Sequence, residues 1–372
     1  MLSLEFIKDV ETNSVSLRLR KSFTSANIAS HSVLTDDVFS YIDFWFRTHK
    51  KVLRDDNGKK IEQDHLFYWE QAKNFYLATK TLPIESSPLT MYYCMLNAIK
   101  SYIFYNAKTY DEIKNTFNGH GLHEGTDNST CNVCSLENIF ITRDGWGVFS
   151  RFSNMIDTKF DEKWKIKDDG KISIKDLMYQ LPFVHSAYIS TYSLPKKHEK
   201  FIPLIAGTTP VFRFGKDRKI RLVVDVDKKY FKQDATSFPE EIRQTIPDVY
   251  EINPDNGFQL VSKDTFRKNE ILNVYQKYRN HFSYIAADKR IWYLKRDNDY
   301  NCVSNLISKI VSVAIVHRFS EIVRYKPEQM YRLLHSKENW LIHEFLSIVL
   351  DQFMDEISCE ITKQEIMNTR TK

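Results

Sequence analysis

The sequence predicts a mainly α protein with a smaller β-containing middle region, an α+β chain whose helical bundle is built from helices of its N-terminal half and its C-terminal end. Three observations carry this expectation. Only 10 Gly and 10 Pro punctuate 372 residues, too few for a many-turned sandwich or barrel. Apolar residues recur at helical spacing toward both ends, whereas the middle alternates or runs apolar in short segments. Hydrophobic residues make up 42% and aromatics 14%, so a packed core is expected over most of the length.

Residues 1–60 read as a mixed segment with one aromatic cluster, Phe39, Tyr41, Phe44, Trp45 and Phe46, before a turn at Arg54-Asp-Asn-rich sequence ending in Gly58. Residues 61–125 read as a helical region. Leu66, Trp69, Ala72, Phe75, Tyr76 and Thr79 share one helical face behind Asp64 as N-cap, and Pro83 ends that helix. Pro88 then sits in the first turn of a second helix, whose broad apolar face includes Leu89, Tyr92, Leu96, Ile99, Tyr102 and Ile103. The short connection predicts antiparallel neighbours. Asn118–Cys134 breaks the pattern as a polar, glycine-bearing loop. Residues 126–300 form the α+β middle: Val211–Phe214 and Ile220–Val226 flank a turn as a hairpin, and Phe282–Arg296 is a second, turning near Ala287 and Asp288. Residues 301–372 return to helix, with one stripe from Val303 to Ile322, Pro327 in a first turn, and a second stripe from Leu341 to Phe353.

Composition excludes several classes. Lys and Arg number 53 against 48 Asp and Glu, a mixed surface of net charge +5 that names no partner by itself. The best apolar run, Ile307–Val316, is too short for a membrane span and carries Ser308, Lys309 and Ser312. Glu5, Lys8 and Asp9 stand where a signal peptide requires an apolar stretch, so export is not expected. Five scattered cysteines fit a reducing cytoplasm better than a disulfide framework. The sequence contains no phosphate-cradling Gly-rich loop, HExxH or G-x-S-x-G.

The run FYWEQAKNFYLATKTLPIESSPLTMYYCMLNAIKSYIF, the following NGHGL, and the late IVRYKPEQMYRLL with LIHEFLSIVLDQF together resemble the YaaC-like family of bacterial proteins. The likeness spans about Leu66–Leu122 and Phe282–Phe353 and implies no particular chemistry. The Tyr-Tyr pair on an amphipathic helix, followed by Ala-Ile-Lys and His-Gly-Leu, is also similar to the HEPN superfamily of helical bundles. The leading expectation is a binding or regulatory helical module, a homodimer through its helical faces or a subunit of a multiprotein complex, whose place in bacterial antiviral defence or stress response is implied by that likeness alone. The alternative that the likeness implies is a metal-independent ribonuclease. HEPN nucleases set an Arg and a His a few residues apart, whereas here Lys114 precedes His120, and these two become the candidate catalytic pair.

Two further patterns carry chemistry. His120, His123, Cys131 and Cys134 form H-x2-H-x7-C-x2-C, four nitrogen and sulfur ligands of the kind that hold a structural zinc; the competing reading is a solvated loop with free thiols. Arg213, Lys216, Arg218, Lys219 and Arg221 on the first hairpin, with Lys289 and Arg290 on the second beside Tyr284 and Trp292, suit contact with nucleic acid. Alternation in a hairpin also sends charge to water as a matter of course. Arg324 is expected either to pair with Glu321 or Glu328 or to bind a ligand, and Glu70, Asn74 and Lys100 are expected on a polar groove.

Overall fold

A computed structural model of the chain describes residues 15–24, 32–61, 65–125, 134–164, 170–205, 207–225, 242, 249–253, 257–262, 265–286, 291–296 and 305–368. Among these, eleven α-helices follow in order: α1 (Val38–Thr48), α2 (His65–Thr79), α3 (Ser87–Asn106), α4 (Gly147–Ile156), α5 (Phe160–Trp164), α6 (Ile174–Met178), α7 (His185–Tyr192), α8 (Lys268–Arg279), α9 (Ser308–Tyr325), α10 (Pro327–Leu334) and α11 (Asn339–Thr362). Helix predominates over strand, and the α+β class is as the sequence predicts. The chain divides into two compact units interleaved in sequence. A helical unit takes Leu34–Leu194 and Asn301–Thr362; a strand-rich unit takes Met1–Val33, Pro195–Tyr300 and Lys363–Lys372.

The helical unit is organised around α3. This helix packs most extensively on α2 and then on α9 and α11, so the closing helices of the chain seal those of the N-terminal half. Its sequence demands that position: Met91, Cys94, Met95, Ala98, Ile99 and Ile103 are at most 5% exposed. Each large apolar side chain so buried contributes roughly 1.5–3 kcal/mol. Pro88 stands in the first turn of α3, where its missing N–H costs nothing. Asp64, expected to cap α2, lies outside the described residues. Helix α1 is capped by Asp37, whose carboxylate accepts from the amides of Phe39 and Ser40.

Helix α9 is buried from Ser308 through Ser320, including three ionisable side chains. One is met from α11: Lys309 Nζ lies 2.7 Å from Glu360 and 3.5 Å from Glu356, and Gln352 donates to Glu356 at 2.6 Å.

The stretch Asn118–Cys134, read from sequence as a loop, contains a strand. Leu122–Gly125 pairs antiparallel with Phe140–Arg143, which pairs in turn with Ile172–Ser173. Backbone pairing to a segment distant in sequence overrides the polar local composition here.

In the strand-rich unit, strands Val15–Arg18, Val211–Phe214, Ile220–Asp225, Gly257–Val261 and Val249–Asn253 form one antiparallel sheet in that spatial order. A second sheet holds Phe282–Ile285, Ile291–Lys295 and Phe201–Pro203. Both expected hairpins are present, although the turn at Ala287 and Asp288 lies outside the described residues. Period-two alternation buries Phe212, Phe214, Ile220, Leu222 and Val224 against Tyr275 and Tyr278 of α8. Phe212 stacks on Tyr278 with ring centroids 5.7 Å apart and planes 5° from parallel.

Candidate functional site

Within the helical unit, α3 and α9 border a cavity of about 160 Å³ lined by His120, His317, Ser320, Glu321, Arg324 and the tyrosines Tyr92, Tyr93 and Tyr325. His120 reaches it from a turn that the sequence builds with glycines. The carbonyls of Gly119 and His120 accept from the amides of Val148 (3.1 Å) and Phe149 (3.0 Å) in the first turn of α4, and Gly121 accepts from Asp144 at 3.1 Å. Gly121 has φ +79° and Gly147 φ +91°. A Cβ on Gly121 would collide with the Trp146 carbonyl oxygen, and one on Gly147 would stand 2.8 Å from the Gly121 nitrogen. The His-Gly-Leu motif thus serves as a close backbone crossing that aims one imidazole.

That imidazole shares a 2.6 Å hydrogen bond, through Nδ1, with the hydroxyl of Tyr92 on α3. Burial of the phenol pushes the Tyr92 pKa up, so the hydroxyl keeps its proton. Burial, then the charges of Lys100 and Arg324, lower the His120 pKa and leave the ring neutral at neutral pH. His317 of α9 meets Tyr92 edge-on at 4.8 Å and lies 5.9 Å from the His120 ring, centroid to centroid. Burial, with the charges of His120, Arg318 and His123, pushes the His317 pKa down to about 3. Its Nδ1 is enclosed without a hydrogen-bond partner, because the nearest carboxylate oxygen, on Glu321, is 3.8 Å away.

Glu321 is instead taken by the buried Arg318, whose Nη1 lies 3.1 Å from it while Nη2 lies 2.5 Å from Glu124. Lys326 meets the same Glu124 oxygen at 2.7 Å. Burial raises the Glu321 pKa even so, whereas Glu124, also partly buried, is brought below the usual range by Lys326 and Arg318. The pairing of Arg324 with Glu321 or Glu328 expected from sequence is not formed. Arg324 is exposed, its guanidinium carbon 4.6 Å from the Tyr325 ring centroid. Neither Arg324 nor Lys100 meets a carboxylate among the described residues. The Lys100 ammonium lies over the rings of Tyr68 (5.2 Å) and Phe117 (5.9 Å), and burial lowers its pKa. Glu70 and Asn74 of α2 are exposed. The local set is therefore four cations, Lys100, Arg318, Arg324 and Lys326, against two carboxylates, Glu124 and Glu321.

The other expected residues are placed as follows. Lys114 is exposed and bonded to Asp111 at 2.6 Å, and it is not among the cations that act on His120. His123 pairs with Asp144 at 2.7 Å, Cys134 donates to the carbonyl of Gln329 at 3.4 Å, and Cys131 lies outside the described residues. Among the described residues no three His, Cys, Asp or Glu side chains gather as metal ligands. On the first hairpin Arg213, Lys216 and Arg218 are exposed and Lys219 is half-buried, while Arg221, directly across from Arg213, holds Asp217 at 3.0 and 2.6 Å. Lys289 and Arg290 lie outside the described residues. Sequence reasoning did not single out His317, which stands beside the apolar stripe of α9; a polar residue next to the stripe was the available signal.

No described helix is long and apolar enough to cross a membrane. Residues 33–361 match the family model described as YaaC-like Protein. No curated protein and no solved structure matches the chain.

Proposed function

The chain belongs to the YaaC-like family, and on the geometry of the cavity we propose that its helical unit is a binding module for a small anionic group such as phosphate. One observation carries the reading: two cations, Lys100 and Arg324, act on His120 from positions where neither meets a carboxylate. An unneutralised guanidinium on the lining of a polar cavity favours an anion, and Arg324 supplies the planar fork that phosphate and carboxylate oxygens match. Calorimetric titration with inorganic phosphate tests it. Wild type should bind, and Arg324→Ala should weaken binding about tenfold, the scale of one charge-assisted hydrogen bond. Absence of phosphate binding by wild type would sink the reading.

The wider setting, a regulatory subunit of cytoplasmic antiviral defence or stress response acting as a homodimer or within a larger complex, rests on the HEPN-like resemblance. Nucleic acid as a partner is supported by the exposed Arg213, Lys216 and Arg218. A gel shift that weakens steeply with salt and with Arg218→Ala is the expected outcome. A structural zinc on His120, His123, Cys131 and Cys134 would require His120, His123 and Cys134 to leave the partners described above; metal analysis of purified protein decides it.

The second reading, a metal-independent ribonuclease, is favoured by one feature. His120 is held at Nδ1 by Tyr92, and in the tautomer whose Nδ1–H donates to the Tyr92 oxygen Nε2 carries the free lone pair that a general base requires. Arg324 and Lys100 then take the place given to Lys114 as the cation beside the developing charge. Cleavage of total RNA under chelator, abolished by His120→Ala, is the expected result for this reading, and intact RNA after incubation with wild type removes it.

A further inference from the structure

We propose that the cavity takes the phosphate of a nucleotide whose base lies against the outward face of Tyr325, with His317 as the hydrogen-bonding contact inside; this rests on the anion-binding reading above. His317 is 5% exposed and lines the cavity; its Nδ1 has no accessible surface, so the contact open to a ligand is Nε2, which meets no partner among the described residues. A neutral imidazole offers one donor and one acceptor, and a buried polar atom left unmet is costly. A phosphoryl group supplies acceptor oxygens, and a donor when singly protonated, so it can meet Nε2 in either tautomer of the ring.

Size fixes how much of the ligand enters. About 160 Å³ is well below the roughly 300–1,000 Å³ of pockets that enclose a whole drug-sized molecule. It has room for a phosphoryl group and not for sugar and base as well, so the rest of the ligand must lie outside. At the open side of the cavity, as part of its lining, the chain presents Tyr325, 64% exposed, beside the Arg324 guanidinium. An exposed tyrosine and an arginine next to a phosphate-sized cavity are the pairing that stacks a planar base while neutralising its phosphate. A free mononucleotide and the phosphorylated end of a single strand offer this chemistry equally.

The full chain is titrated with inorganic phosphate, ribose 5-phosphate, adenosine monophosphate, and a single-stranded RNA hexamer with and without a 5′ phosphate. Adenosine monophosphate should bind roughly tenfold more tightly than ribose 5-phosphate, the size of one base–aromatic stack. Tyr325→Ala should erase that difference while inorganic phosphate still binds, and the exposure of Tyr325 makes loss of folding no obstacle. His317→Phe should weaken phosphate and nucleotide alike. Binding of the phosphorylated hexamer above the unphosphorylated one identifies a strand end as the source, whereas binding of the mononucleotide alone identifies the free nucleotide; both support the inference. Phosphate binding with no preference for the nucleotide overturns it while the anion reading stands. No phosphate binding at all fails the underlying reading first.

Discussion

The His65 imidazole of α2 lies 4.7 Å from the Phe46 ring and 5.7 Å from that of Tyr105, with neither nitrogen hydrogen-bonded. Burial, and secondarily the Lys51 charge, pushes its pKa down to about 4. The pKa is lowered by folding, so this contribution to stability is complete above the unfolded value near 6.5 and is lost as pH falls toward the folded value, because the unfolded chain takes up the proton first. His317, pushed down to about 3, adds to the same acid window. Between pH 7.5 and 5.0 each histidine should remove about 2 kcal/mol. Urea melts at the two pH values should show His65→Phe losing less stability than wild type by about that amount, since phenylalanine fills the aromatic cluster and does not titrate. Equal pH slopes in the two proteins would rule the account out.

At the scale of elements, the turn carrying His120 and the joint between α9 and α11 are the places where a small change should have a large effect. Gly121 combines positive φ with a backbone crossing, so Gly121→Ala should cost about 2–3 kcal/mol in a urea melt and weaken phosphate binding by displacing His120. Unchanged stability and affinity would show that the crossing tolerates a side chain. Lys309 faces Glu360 and Glu356 with all three side chains at most 3% exposed. Lys309→Met should cost about 3–5 kcal/mol by leaving buried carboxylates without their cation, and adding Glu360→Gln should restore part of it. These elements were unequally legible. Helices α2, α3, α9 and α11 follow from apolar spacing because that spacing is their packing surface. The turn was visible as a glycine-bearing motif, but not its purpose, since nothing local says that α4 will reach back to cap it. His317 is hidden because Ile310, Val311, Ala314, Ile315, Phe319 and Ile322 read as a core stripe whatever polar residue stands beside them, and only the orphaned nitrogen distinguishes it. Proximity along the helix offers Arg324 the carboxylate of Glu321, yet Arg318, one turn before Glu321 and buried, has the stronger claim on it.

At the scale of the whole chain, the two units are each assembled from segments far apart in sequence, and this interleaving is what a linear reading into consecutive regions cannot reveal. The strand-rich unit is tied together by Arg279 of α8, 1% exposed. Its guanidinium donates to the carbonyls of Arg20 (2.5 Å), Phe282 (2.6 Å) and Lys21 (3.0 Å), and lies 3.9 Å from the Phe23 ring centroid and 5.0 Å from that of Trp292. The segment 20–23 and the hairpin beginning at Phe282 are thus held by one side chain. Methionine in its place would fill similar space and donate to none of them. At roughly 1–3 kcal/mol for each buried acceptor left unmet, Arg279→Met should cost the strand-rich unit at least about 3 kcal/mol. The helical unit has its own core around α3, so the loss should stay local. Hydrogen exchange followed by mass spectrometry should show protection falling in residues 211–225 and 282–295 while residues 87–106 and 308–325 keep theirs, with phosphate affinity unchanged. A uniform loss of protection across both sets would instead mean that the chain opens as a single cooperative body, and the cavity could then no longer be treated as belonging to the helical unit alone.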